Sequence, residues 1–173
     1  LMALMCFQAS RLEARKGEQG ELILYEDQNR ALWNRDLIEK GEYYLNLSSG
    51  GDTLSKYHLE AAIAYWHTVE DDIEKWENIL QLYNYLLQVN YSPVAALNRT
   101  YALAKARSVK QAIEEGKKLQ LQGKVLYHAL MGDLFRMDTN LTSANHEWEL
   151  ALSCSKNEEE RRLIQEKIKK LGE

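Results

Sequence analysis

Proline is almost missing from this 173-residue chain: Pro93 is the one example, beside nine glycines and two phenylalanines. A sandwich or barrel of this length needs many more turn-forming residues, so an all-β fold is excluded, and the abundant Leu, Ala, Glu and Lys favour helix. An excess of positive charge is missing as well. With 22 Lys and Arg against 26 Asp and Glu, a formal charge of −4 and a pI near 5.7, no net field draws this chain to a phosphate backbone. Cysteine is down to Cys6 and Cys154, with no metal spacing and no CxxC, so two packed thiols in a reducing cytosol are expected, with a disulfide between them as the alternative. No apolar run reaches the roughly 18 residues of a membrane span, and Leu1 to Phe7 is too short and lacks the basic flank of a signal peptide. The expectation is a soluble, cytoplasmic protein with no membrane partner.

Catalytic signatures are absent too: no GxSxG, HExxH, P-loop, GxGxxG or EF-hand loop occurs. His58, His67, His128 and His146 fall on different expected helices. His67 could share a face with Glu70 or Asp71, but a hydrogen-bonded or solvated histidine outweighs a metal ligand there. No metal, cofactor or small-molecule substrate is therefore expected, and no catalytic residue is nominated. The Asn-x-Ser/Thr triplets at Asn46, Asn90, Asn98 and Asn140 read as chance, because two of them lie within or at the edge of helical patterns.

What is present is helical periodicity, and the chain reads as all-α. A first helix runs from Leu1 to about Lys16, with Leu1, Leu4, Met5 and Leu12 on a shared buried face, and Gly17 and Gly20 stop it. It starts without methionine or a capping residue, as a cut chain would. Leu22 to Tyr25 is expected as an extended connector. Further helices are expected from about Asn29 to Leu47, Ser55 to Val69, Glu74 to Asn90, Pro93 to Arg107, Ser108 to Leu119, Lys124 to Met137, Thr142 to Ser153 and Asn157 to Leu171. Leu59, Ala62, Ile63 and Trp66 should face inward on the third of these nine helices, and Trp76, Ile79, Leu80, Tyr83, Leu86 and Leu87 on the fourth. Ser92-Pro93 supplies an N-cap and a first-turn proline.

The densest polar chemistry lies in Tyr25 to Asn34. A helix starting near Asn29 would put Arg30, Trp33 and Asn34 at i, i+3 and i+4, on one face, with Asp27 and Asn29 as candidate N-caps. Read plainly, this is a capped helix start with a tryptophan anchor.

Paired helices call for a test of repeats near 34 residues, and one window answers. Gly132, Phe135, Ala144, Trp148 and Ala151 fall at the offsets of a tetratricopeptide (TPR) unit, in which the small residues let helices approach and the aromatics fill the gap. Pro93 to Leu119 is a degenerate copy at best. The expected architecture is a single domain, residues 1–173, of antiparallel helix pairs in a TPR-like right-handed array closed by the helix ending at Leu171.

Glu26-Asp27-Gln28-Asn29-Arg30-Ala31-Leu32-Trp33-Asn34 and Ser92-Pro93-Val94-Ala95-Ala96-Leu97-Asn98-Arg99 together give the chain a family likeness. It resembles the C-terminal extension of TPR-bearing ECF-type RNA polymerase sigma factors, over essentially its whole length. Asn29 and Asn34 stand where the family typically has Asp. The resemblance implies a regulatory or scaffolding domain in transcription initiation, whose DNA- and polymerase-binding domains lie outside this chain. Its implied partners are the sigma core domains and RNA polymerase, with promoter DNA reached only through the missing domains. Asp27, Gln28, Arg30, Trp33 and Asn34 are then the contact or positioning set. The alternative is a free-standing TPR-like adaptor that holds a peptide in a helical groove; an enzyme comes third.

Overall fold

A computed structural model describes residues 1–17, 23, 25–50, 54–69 and 73–171. These residues contain nine α-helices, four 3-10 turns and no strand: α1 Met2–Ala9, α2 Arg35–Leu47, α3 Lys56–Trp66, α4 Ile73–Val89, α5 Pro93–Ala106, α6 Val109–Lys117, α7 Val125–Met137, α8 Leu141–Cys154 and α9 Glu158–Lys169. The chain divides into two compact units, Leu1–Asn90 and Tyr91–Glu173. Six of the described helix starts carry a side-chain cap. Asn34, Ser55, Ser92, Ser108, Asn140 and Asn157 each accept from a backbone N–H in the first turn of the following helix.

In the N-terminal unit α1 packs on α2 and α3, and α3 on α4. The buried stripe of α1 is Ala3, Cys6 and Phe7, continued by Ser10, Arg11 and Ala14. This corrects the expected face: Leu1, Met5 and Leu12 are exposed, and only Leu4 packs against the core. The reason is the close approach of α2. A Cβ on Gly41 would lie 2.6 Å from Phe7 Cε1, so the contact needs glycine on one side and a stripe otherwise made of small residues around one ring on the other. A stripe of Leu and Met would hold the helices apart. The helix also stops earlier than the expected Lys16, because Ser10 Oγ donates to Phe7 O at 2.8 Å and the chain tightens into the 3-10 turn Glu13–Arg15.

Of the expected connector, Leu22 and Leu24 lie outside the described residues, as does Gly20; Ile23 N–H donates to Arg15 O at 2.9 Å. On α3 the inward residues are Leu59, Ala61, Ile63 and Ala64, whereas Ala62 and Trp66 are half-buried. On α4, Trp76, Ile79, Leu80, Tyr83 and Leu86 are buried as expected, and Leu87 is half-buried.

In the C-terminal unit α5 pairs with α6 and α7 with α8, α7 also touches α5 and α6, and α9 closes on α8. Ala144, Trp148 and Ala151 have no exposed surface, and Phe135 packs half-buried against them. The Trp148 indole packs directly against Gly132: an added Cβ there would sit 2.9 Å from Cε2 and closer still to Cδ1 and Nε1. The indole Nε1 donates to Ala129 O at 3.3 Å. His128, also buried, uses both ring nitrogens. Nε2 accepts from Gly123 N–H at 3.2 Å, so Nδ1 carries the proton that faces Glu147 Oε2 at 2.7 Å. Gly123 itself has φ 89°, which explains a glycine at that turn. Lys167 Nζ holds both Asp133 carboxylate oxygens, at 2.7 and 2.6 Å, and ties α9 to α7.

Candidate functional site

The stretch from Tyr25 to Asn34 does not open a helix at Asn29. It forms two 3-10 turns, Tyr25–Asp27 and Arg30–Leu32, and Trp33 is extended with φ −75° and ψ 130°. Asn29 Oδ1 accepts from Ala31 N–H at 3.0 Å and Asn34 Oδ1 from Leu37 N–H at 3.0 Å, so each asparagine caps its own short segment. Arg30, Trp33 and Asn34 therefore share no helical face, and Asp27 caps no helix. Two competing caps explain the difference: a side-chain oxygen that satisfies a backbone donor after only two or three residues favours a turn over a continuous helix. Capping needs an oxygen acceptor rather than a charge, and asparagine serves as well as aspartate.

Extension at Trp33 is what turns its indole inward. Trp33 is 4% exposed, inside a core cluster with Phe7, Ala14, Ile38, Ala61 and Ala64. Arg30 Cζ lies 5.5 Å from its ring centre. The Asn34 backbone N–H donates to Ser10 O at 2.8 Å, which pins the stretch to the end of α1. Asp27, Ala31, Leu32 and Asn34 face solvent, and Gln28 and Arg30 are half-buried. The nominated set thus splits: Trp33 is an anchor, Asn34 a cap, Gln28 is half-buried with Nε2 donating to Ile23 O at 3.3 Å, and Asp27 and Arg30 are left toward the surface.

Sequence reasoning missed the residues that hold the inner side. Tyr25 Oη donates to His67 O at 2.8 Å and accepts from Lys75 Nζ at 2.8 Å, and Lys75, fully buried, also donates to Val69 O at 3.0 Å. A cation and a phenol thereby serve carbonyls just past the C-terminus of α3, where the helix dipole favours positive charge. The Tyr25 ring stands 4.9 Å from that of His67 and 6.3 Å from that of Trp33. Arg11 Cζ lies 5.4 Å from the Tyr25 ring centre and 5.9 Å from that of Trp33. Burial, and then the neighbouring Arg15, lower the Arg11 guanidinium to about 10. The available signal was a basic residue on the small-residue stripe of α1; nothing in its spacing distinguished it from a solvated arginine. Glu70 and Asp71, weighed beside His67, lie outside the described residues. Cys6 and Cys154 are free thiols. No helix among the described residues is long and apolar enough to cross a membrane.

Comparison with known proteins finds one family model and one curated relative. A family of unknown function (DUF6596) matches residues 1–49, the segment that carries α1, the turns around Tyr25 and Trp33, and α2. An uncharacterized protein of Rhizobium meliloti (strain 1021) is 31% identical over 176 residues, covering 99% of this chain and 42% of the relative. The chain thus spans less than half of that relative's length. No solved structure matches.

Proposed function

We propose that this chain is a C-terminal regulatory or scaffolding domain of an ECF-type RNA polymerase sigma factor, acting in the cytoplasm in transcription initiation through protein contacts. The observation that carries the reading is the build of the 25–34 stretch. Trp33 and Tyr25 anchor it inside, asparagine caps fix its turns, Gln28 Nε2 bonds back to Ile23 O, and Asp27 and Arg30 are held toward the surface on a backbone that no regular helix provides. Rigid irregular segments with charged groups held in place suit recognition. The acidic balance supports a role that leaves DNA to other domains. For the C-terminal unit we propose TPR-like, right-handed stacking, supported by the Gly132–Trp148 seat and by the contacts of α7 with α5 and α6.

Arg30→Ala in the full-length protein tests the reading. Arg30 is half-buried and lies over an indole, so the substitution should cost the domain about 0–1 kcal/mol in urea unfolding while lowering transcription from the cognate promoter. Wild-type transcription, or an unfolded domain, would return the stretch to a purely structural role.

A further inference from the structure

Helix α2 buries Ile38 and Gly41 and leaves an outer stripe in solvent. Asp36, Lys40, Tyr43 and Leu47 recur at spacings of four, three and four, so they stand on one side of the helix, and all are exposed, Tyr43 at 63% and Leu47 at 68%. Asp36, Glu39, Lys40, Tyr43 and Tyr44 line an open groove of about 420 Å³ on this side. Tyr44 packs half-buried against the core cluster of Phe7 and Trp33, and the Tyr43 ring stands edge-on to it, with 5.4 Å between centres and 70° between planes. A ring braced on the core yet open to solvent loses little freedom when something covers it. Single apolar side chains at a surface need no explanation, but a tyrosine and a leucine in line with a groove do.

The groove also carries charge. Two carboxylates against the one Lys40 ammonium leave it negative, and among the described residues no ion pair involves Asp36, Glu39 or Lys40. A metal ion is a poor match, since the described residues hold no group of three His, Cys, Asp or Glu placed to bind one. A guanidinium matches both features: its planar fork of donors suits carboxylates, and it lies on aromatic faces better than an ammonium does. We propose that the outer stripe of α2 is a docking surface for a segment of a partner protein that presents an arginine beside an apolar side chain. The guanidinium lies on Tyr43 and is met by Asp36 and Glu39, and the apolar side chain covers Leu47. This goes beyond the transcription reading, because it names a further surface, on α2, and the chemistry of what covers it.

The test is an NMR titration of the 173-residue chain with an alanine-based helical peptide carrying leucine and arginine on one face, at physiological salt. Backbone amides of α2 should shift saturably, and the same peptide with lysine for arginine should bind several-fold more weakly. Tyr43→Ala, which changes no charge, should weaken binding roughly tenfold, and Glu39→Gln should weaken it as well. Glu159→Gln, which removes the same charge from the exposed first turn of α9, should leave it unchanged. No saturable shift in α2, full binding by Tyr43→Ala, or an equal loss in Glu159→Gln would reduce the stripe to a solvated acidic face and overturn the proposal. The titration contains neither polymerase nor promoter, so its failure is distinct from that of the transcription reading.

Discussion

Two buried tryptophans show how differently the two units are built. Trp148 has no exposed surface, its ring lies on Gly132, and its N–H is spent on Ala129 O. Trp33, 4% exposed, has the Arg11 and Arg30 guanidiniums within 6 Å of its ring centre, and its N–H finds no hydrogen-bond partner. The C-terminal unit treats its other buried polar groups in the same complete way, as His128 shows with a partner on each ring nitrogen. An interface of small residues and one satisfied indole is a packing device. A core edge that leaves an arginine Nε, an indole N–H and an amide oxygen without hydrogen bonds gives up stability, and such costs are characteristic of functional sites.

The contrast can be broken at its strongest point first. Trp148→Ala should cost about 3–5 kcal/mol, because the side chain fills a gap that Gly132, Ala144 and Ala151 cannot close; an unchanged urea midpoint would show that the seat carries no load. Gly132→Ala should cost about 1–3 kcal/mol, since the new methyl falls inside a ring buried on all sides. Gly41→Ala meets Phe7 at 2.6 Å, a less severe overlap, and should cost less than Gly132→Ala in the same assay.

A finer probe compares like with like. Trp148→Phe leaves Ala129 O without its donor, whereas Trp33→Phe deletes a donor that had no acceptor. Trp33→Phe should therefore be milder by about 0.5–1.5 kcal/mol. Equal losses would mean that the Trp33 N–H is satisfied after all, and the two units would then be alike. The smallest effect concerns the surface. The Lys118 ammonium, 2.7 Å away, holds the Glu115 carboxyl below the usual carboxylate value. Its contribution is present above the unfolded value of 4.5 and lost as the pH falls through the lower folded one. With both side chains exposed, it should amount to about 0–1 kcal/mol, and Lys118→Met should remove that small acid-limb difference in a pH series of unfolding curves.

Helix content and most helix starts were legible because caps are local: a serine or asparagine before an apolar stripe acts on donors two or three residues away. The Gly132, Phe135, Ala144, Trp148 and Ala151 pattern was legible for the same reason, since α7 and α8 are neighbours in sequence and their contact repeats at fixed offsets. The buried face of α1 was misread because hydrophobicity pointed to Leu1, Met5 and Leu12, whereas the partner helix brought a glycine and demanded small residues. Asn29 was misread as the start of a long helix because Asn34 offered a second cap, and periodicity does not weigh one cap against another.

By itself, then, the sequence determined the class of fold, its helix boundaries to within a turn in most places, and the small-residue seat of Trp148, all of which depend on groups close together along the chain. Only the tertiary structure decided which stripe of α1 is buried, that Trp33 points inward, and that Arg11 and Tyr25 meet beside it while Lys75 holds the Tyr25 hydroxyl. Those outcomes depend on residues far apart in sequence, Tyr25 with His67 and Lys75 above all. The burial that makes an arginine chemically consequential exists only once those distant elements have closed over it.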